Sequence, residues 1–147
     1  MTDMTNGFAT PATPNLSWIL DEFKRDTPDV QTAVAVSIDG ISTYANTGLT
    51  TADNERLAAI TSGFHSLALG LGTQFEGGRV RQVVAELDNM LFFVAAAGRN
   101  TLLSVLAAPH ADAGIVGYEM TLLARRVGDY FATAGRVGSH RLDGFAG

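Results

Sequence analysis

The chain contains no cysteine, which excludes a disulfide framework, cysteine-ligated zinc and thiol catalysis. Charge is scarce: only 17% of residues are Asp, Glu, Lys or Arg, against about 25% in a typical soluble domain. Part of the apolar surface is therefore expected to serve a partner. Basic residues are the rarer sign, 10 Lys and Arg against 15 Asp and Glu, with a pI of about 5.0. Such a surface repels a phosphate backbone, and no Lys/Arg cluster interleaved with aromatics offsets it, so nucleic acid is not an expected partner. Long hydrophobic runs are missing as well. The stretch "MLFFVAAAG" falls well short of the roughly 20 residues of a membrane span, and no basic start followed by an apolar core marks a leader. A soluble, cytoplasmic protein without membrane insertion is the expectation.

What is present reads as one domain, since 147 residues suffice to bury roughly 68 to 70% of the surface of the unfolded chain. Residues 1–14, "MTDMTNGFATPATP", mix Thr, Pro and small residues without periodicity, and a disordered lead-in is expected there. Asn15 is placed to cap a first helix whose apolar positions Leu16, Ile19, Leu20 and Phe23 share one face, and Thr27-Pro28 ends it. A hairpin follows, with β-branched Val30, Val34, Val36 and Ile38, an Asp39-Gly40 turn, and a second strand through Tyr44. A long second helix is predicted from about Asp53 to Phe75, stopped by Gly77-Gly78. Strands are predicted over 79–87 and 90–97, and a fifth in "TLLSVLAAP". Asp112 is placed to cap a third helix running to about Thr133, leaving 135–147 as a flexible tail. The domain proper is 15–134.

The order α-β-β-α-β-β-β-α with short links implies a five-stranded antiparallel sheet and three helices. In the fourth strand Met90, Phe92 and Val94 face one way and Leu91, Phe93 and Ala95 the other, so helices must cover both faces. Five strands about 4.8 Å apart span roughly 20 to 24 Å, while one helix covers about 10 Å. If the first and third helices share a face, the second lies alone on its own with sheet uncovered beside it.

On a helical wheel of about 100° per residue, Leu57, Ile60, Phe64, Leu67, Leu71 and Phe75 fall in one stripe, expected to pack on the sheet. The opposite face holds Ala59, Ser62, Gly63, Ser66 and Gly70 where a solvated helix would carry Glu and Lys. A mid-helix glycine costs about 1 kcal/mol relative to alanine, so two of them suggest that another backbone approaches closely. This outward face is the candidate contact surface. The third helix serves as a control, because its stripe Val116, Met120, Leu123, Val127 and Phe131 is opposed by Glu119, Arg125, Arg126 and Asp129. The third strand suits a sheet edge, where Arg79, Arg81 and Gln82 deter indiscriminate pairing and Val84 is available to a partner. Pairing of that edge with its twin would join two copies in one ten-stranded sheet.

The blocks "NERLAAITSGFHSLALG", "GGRVRQVVAELDNMLFFVAAAG", "TLLSVLAAP" and "AGIVGYEMTLLARRVG" resemble the Roadblock/dynein light-chain family in its bacterial form, over roughly residues 15–134. The resemblance implies a profilin-like three-layer α/β sandwich that forms homodimers through strand three and helix two. It implies no catalysis, and a small Ras-like GTPase as the partner to be regulated or scaffolded. In some bacterial groups it also implies a sensor-kinase-like protein.

Chemistry of the chain's own is not indicated. The glycines at 70–72 and 77–78 lack a following Gly-Lys-Ser/Thr, so no phosphate-cradling loop is present. His65, His110 and His140 show no ligand spacing, and no metal or cofactor is expected. Asp39, Asp53, Asp88 and Asp112 stand at turns or helix starts, where aspartate caps. Two rivals stay open. A ligand-sensing domain would need a pocket with convergent polar groups, and an enzyme would need a clustered base and nucleophile.

Overall fold

Asn15 caps the first helix as its position predicts, its side-chain oxygen accepting from the Trp18 N–H at 2.8 Å. The computed structural model describes residues 15–146, with side chains as far as residue 133. The expected lead-in over 1–14 lies outside the described residues. Helix α1 (Leu16–Asp26) buries Leu16, Ile19, Leu20 and Phe23, the predicted stripe, and ends at Thr27. Strands β1 (Val30–Ser37) and β2 (Thr43–Thr47) follow. In their turn the Asp39 carboxylate accepts from the Ser37 hydroxyl at 2.6 Å and the Ile41 N–H at 3.0 Å. The Ser37 bond first, then that of Ile41, holds the Asp39 carboxyl below its usual range. Gly40 takes the left-handed conformation, φ 77°, that this turn requires.

Helix α2 (Thr51–Gln74), β3 (Val83–Leu87), β4 (Met90–Ala97), β5 (Thr101–Ala107) and α3 (Ala113–Ala146) complete the order read from the sequence. Asp112 caps α3, its carboxylate accepting from the Ile115 N–H at 3.1 Å. The helix does not stop near Thr133 but continues to Ala146. No proline interrupts it, and isolated glycines weaken a helix without ending it. The third strand is shorter than predicted and begins at Val83 rather than residue 79. At this boundary the Gln82 side-chain amide donates to the Gly117 carbonyl of α3 at 3.0 Å, and pairing with β4 begins at the next residue, Val83.

All neighbours in the sheet are antiparallel, in the order β2-β1-β5-β4-β3, so β3 is an edge. Alternation sorts the central strands to two cores. On one face α1 and α3 pack on Ala33, Ala35, Leu91, Phe93, Leu103 and Val105. On the other, α2 alone contributes Leu57 and Ala58 to a smaller cluster with Val34, Val36, Phe92, Val94 and Leu102. Each fully buried Phe or Leu contributes about 1.5–3 kcal/mol, so the two-helix layer supplies most of the stability. The α2 layer is thin.

Candidate interaction surface

The Thr50 hydroxyl accepts from the Asp53 N–H at 3.3 Å and starts α2. At its other end the Gly77 N–H reaches back to the Gly72 carbonyl at 3.0 Å, around Glu76 in the left-handed region at φ 56°. This closure is a Schellman motif. The sequence places the left-handed stop at Gly77-Gly78, whereas the structure puts Glu76 first in that role and Gly78 second.

The buried side of α2 is Asn54, Leu57, Ala58, Thr61 and His65. Relative to the predicted stripe the helix is turned by roughly a quarter of a revolution. Small Ala58 and Thr61 allow it to approach Val34, Val36 and Leu102 closely, where a full row of Leu and Phe would hold it away. On one flank the Ser62 hydroxyl donates to the Ile38 carbonyl at 2.8 Å, tying α2 to the β1–β2 turn. The rotation leaves the large apolar residues on the opposite flank. Leu67 is 75% exposed, Leu71 62% and Phe75 77%, with Ile60 also exposed. Phe64, itself partly exposed, meets the sheet at Phe92 with the two rings edge to face. Leu87, at the end of the edge strand, is exposed too. A row of this size is more than the scattered apolar residues of an ordinary surface.

Ala59, Gly63, Ser66 and Gly70 all lie exposed on α2, and a Cβ added at Gly63 or Gly70 would meet nothing within 4 Å. Nothing in this chain requires glycine at either position. Ser62, by contrast, is half-buried and engaged by the turn. Val84 is exposed on β3, on the side away from α2, because its neighbours Val83 and Ala85 pack toward the α2 cluster. Arg79 and Arg81 are exposed in the segment leading to β3, and Gln82 is held by α3. The structure thus groups the α2 residues on one surface and sets the two arginines apart from them. Leu67, Leu71 and Phe75 belong to the exposed surface although periodicity assigns them to the core. The signal that could have found them is the spacing of Asn54, Thr61 and His65, polar side chains that share one stripe.

Two clefts lie on the α3 side, both open to solvent. One of about 450 Å³ is lined by Tyr44, Arg99, Asn100, Thr101 and Phe131 among others. The other, about 720 Å³, is lined by Arg79, Arg81, Ala95, Ala96, Arg125 and Asp129 among others. Burial pushes the His65 imidazole below its usual range, and His110 lies 3.3 Å from Asp29. The side chain of His140 lies outside the described residues. Among the described residues no three His, Asp or Glu side chains converge as a metal site, and no helix is long and apolar enough to cross a membrane.

An antiparallel sheet with two helices on one face and one on the other defines a profilin-like α/β sandwich. A Schizosaccharomyces pombe profilin has this fold, with a TM-score of 0.50 at 18% identity, over 81% of this chain and 98% of that one. Within that class the chain belongs to the Roadblock/LC7 domain family, whose model matches residues 16–107. A Roadblock/LC7 domain from Streptomyces avermitilis is 40% identical, with a TM-score of 0.76, over 80% of this chain and 98% of that one. The gliding protein MglB from Thermus thermophilus shares the fold at 20% identity, with a TM-score of 0.66, over 76% of this chain and 84% of that one. No curated protein matches the chain. The family supports a regulatory domain.

Proposed function

We propose that this protein is a non-catalytic, homodimeric regulatory or scaffold module that binds a small Ras-like GTPase in a bacterial signalling system. One observation carries the reading: the exposed apolar row Ile60, Leu67, Leu71 and Phe75 on α2, beside the open edge of β3. Joined at that edge, two copies of residues 15–134 would form one ten-stranded sheet with both α2 helices on the same face. Ala59, Gly63, Ser66 and Gly70 would then let the helices, or a partner, approach closely. An MglB in a tetrameric arrangement shares the fold at 19% identity, with a TM-score of 0.67, and self-association of that relative supports the same habit here. The GTPase partner rests on the family resemblance, as does a sensor-kinase-like protein as third component. The chemistry belongs to the GTPase.

Light scattering across a dilution series tests the dimer. The expected mass is twice 15.5 kDa, falling toward the monomer in Gly70→Glu. A monomer in both proteins overturns the dimer. The partner is tested by titrating a purified Ras-like GTPase encoded next to the gene, loaded with GTP or with GDP. Absence of binding in both nucleotide states overturns that half of the reading.

A further inference from the structure

The larger cleft on the α3 side is basic in an acidic protein. Arg79 and Arg81 approach it from the segment before β3, and Arg125 from α3. Among the described residues none of the three has a carboxylate within ion-pair distance; the ion pairs are Arg56–Asp53, His110–Asp29 and Arg126–Glu22. One acid, Asp129, also lines the cleft, so three guanidinium groups face one carboxylate there while the chain as a whole carries −5. Unpaired arginines gathered in one concavity focus the field on an anionic ligand, and a planar guanidinium is built to grip a carboxylate at two points.

The backbone beside them is also unpartnered. The β3–β4 ladder ends at Val83↔Val94, while β4 runs on to Ala97. No backbone hydrogen bond joins residues 79–82 to Ala95, Ala96 or Ala97. The Ala95–Ala97 stretch of β4 therefore presents an open edge, next to a floor of small side chains that includes Ala95, Thr121 and Ala124. An extended peptide pairs with such an edge through both its N–H and its C=O groups, which a small anion cannot do.

We infer that this cleft binds an extended acidic segment of a partner protein, which adds a short strand to the Ala95–Ala97 edge of β4 and places its carboxylates on Arg79, Arg81 and Arg125. The site lies on the α3 side of the sheet, opposite α2, and does not depend on the dimer proposed above.

The test uses a fluorescein-labelled octapeptide of alternating Glu and Thr, titrated with the full-length protein and followed by anisotropy. A matched peptide with Gln in place of Glu and one with N-methylated backbone amides serve as controls. Binding of the Glu peptide is expected at low ionic strength, weakening at least about tenfold when salt shortens the screening length. It should also weaken at least about tenfold in Arg81→Glu/Arg125→Glu and in the milder Arg81→Gln/Arg125→Gln, with circular dichroism unchanged. The Gln and N-methylated peptides should bind at least about tenfold more weakly. No binding of the Glu peptide, equal binding of either control peptide, or full binding by the folded Gln variant overturns the inference. Displacement by tripolyphosphate at concentrations where chloride of equal ionic strength has no effect would mark a small-anion site and overturn it too.

Discussion

Phe64 of α2 meets Phe92 of β4 edge to face, with ring centroids 5.1 Å apart and planes inclined at 66°. Phe92 is buried, yet Phe64 keeps 38% of its surface exposed. Further along the helix Leu67, Leu71 and Phe75 continue the apolar row, all exposed.

Replacement of Leu67 by Glu should leave the isolated domain nearly unchanged, within about 0.5 kcal/mol, because a side chain so exposed contributes little to the fold. Self-association should fall sharply. The check is paired: chemical denaturation for stability, and sedimentation for mass. Retained self-association in both Leu67→Glu and Leu71→Glu would show that this row is not the contact.

Alanine at Gly63 and at Gly70 separates the needs of the helix from those of a partner. Both positions are open in the chain, so each alanine should stabilise the monomeric fold by about 1 kcal/mol through helix propensity. If a second backbone packs there, each methyl should also weaken the dimer. Gly72 is the control, since a Cβ on it would run into the Gly78 carbonyl. Gly72→Ala should destabilise, against its propensity. Thermal melts at concentrations above and below the dimer midpoint distinguish the three.

The strand order and α1 were legible in the sequence because boundary residues and alternation left little choice. Asn15, Thr27-Pro28 and Asp112 mark boundaries, and the alternate residues of β4 demand two covered faces. The facing of α2 was not legible. Periodicity arguments need a polar side for contrast, and from Leu57 to Phe75 there is no Lys, Arg or Asp to supply one. A wheel then assigns the largest side chains to the core, whereas close packing over Val34 and Leu102 selects the smaller Ala58 and Thr61. The start of β3 was hidden for another reason. Gln82 is drawn to the Gly117 carbonyl, a contact 35 residues away in sequence that no local pattern encodes.

Protonation of His65 should weaken the fold. Its imidazole is buried on the sheet side of α2 and its pKa is lowered from the ordinary 6.5 by that burial. The side chains that share this face, Asn54, Leu57, Ala58 and Thr61, are uncharged. Above pH 6.5 both folded and unfolded states hold the neutral form and stability is complete. As pH falls through 6.5 the unfolded chain takes up the proton first, so stability declines until the lowered folded value is reached. A His65→Asn variant should show a flatter pH dependence of the denaturation midpoint as pH falls below 6.5. An unchanged slope would move the dependence to another group.

Glu76 carries the left-handed residue of the α2 stop, at φ 56°, a conformation that costs a residue with a Cβ roughly 1–2 kcal/mol. Glycine there would avoid that strain and lose some of the gain to the greater entropy of its unfolded chain. Glu76→Gly should therefore stabilise the protein by about 0.5–1 kcal/mol. The Gly77 to Gly72 bond that closes the motif should persist, which slow amide exchange at Gly77 would report. Because the exposed Phe75 immediately precedes this turn, a loss of stability instead would mean that the Glu76 side chain holds the end of α2 in place.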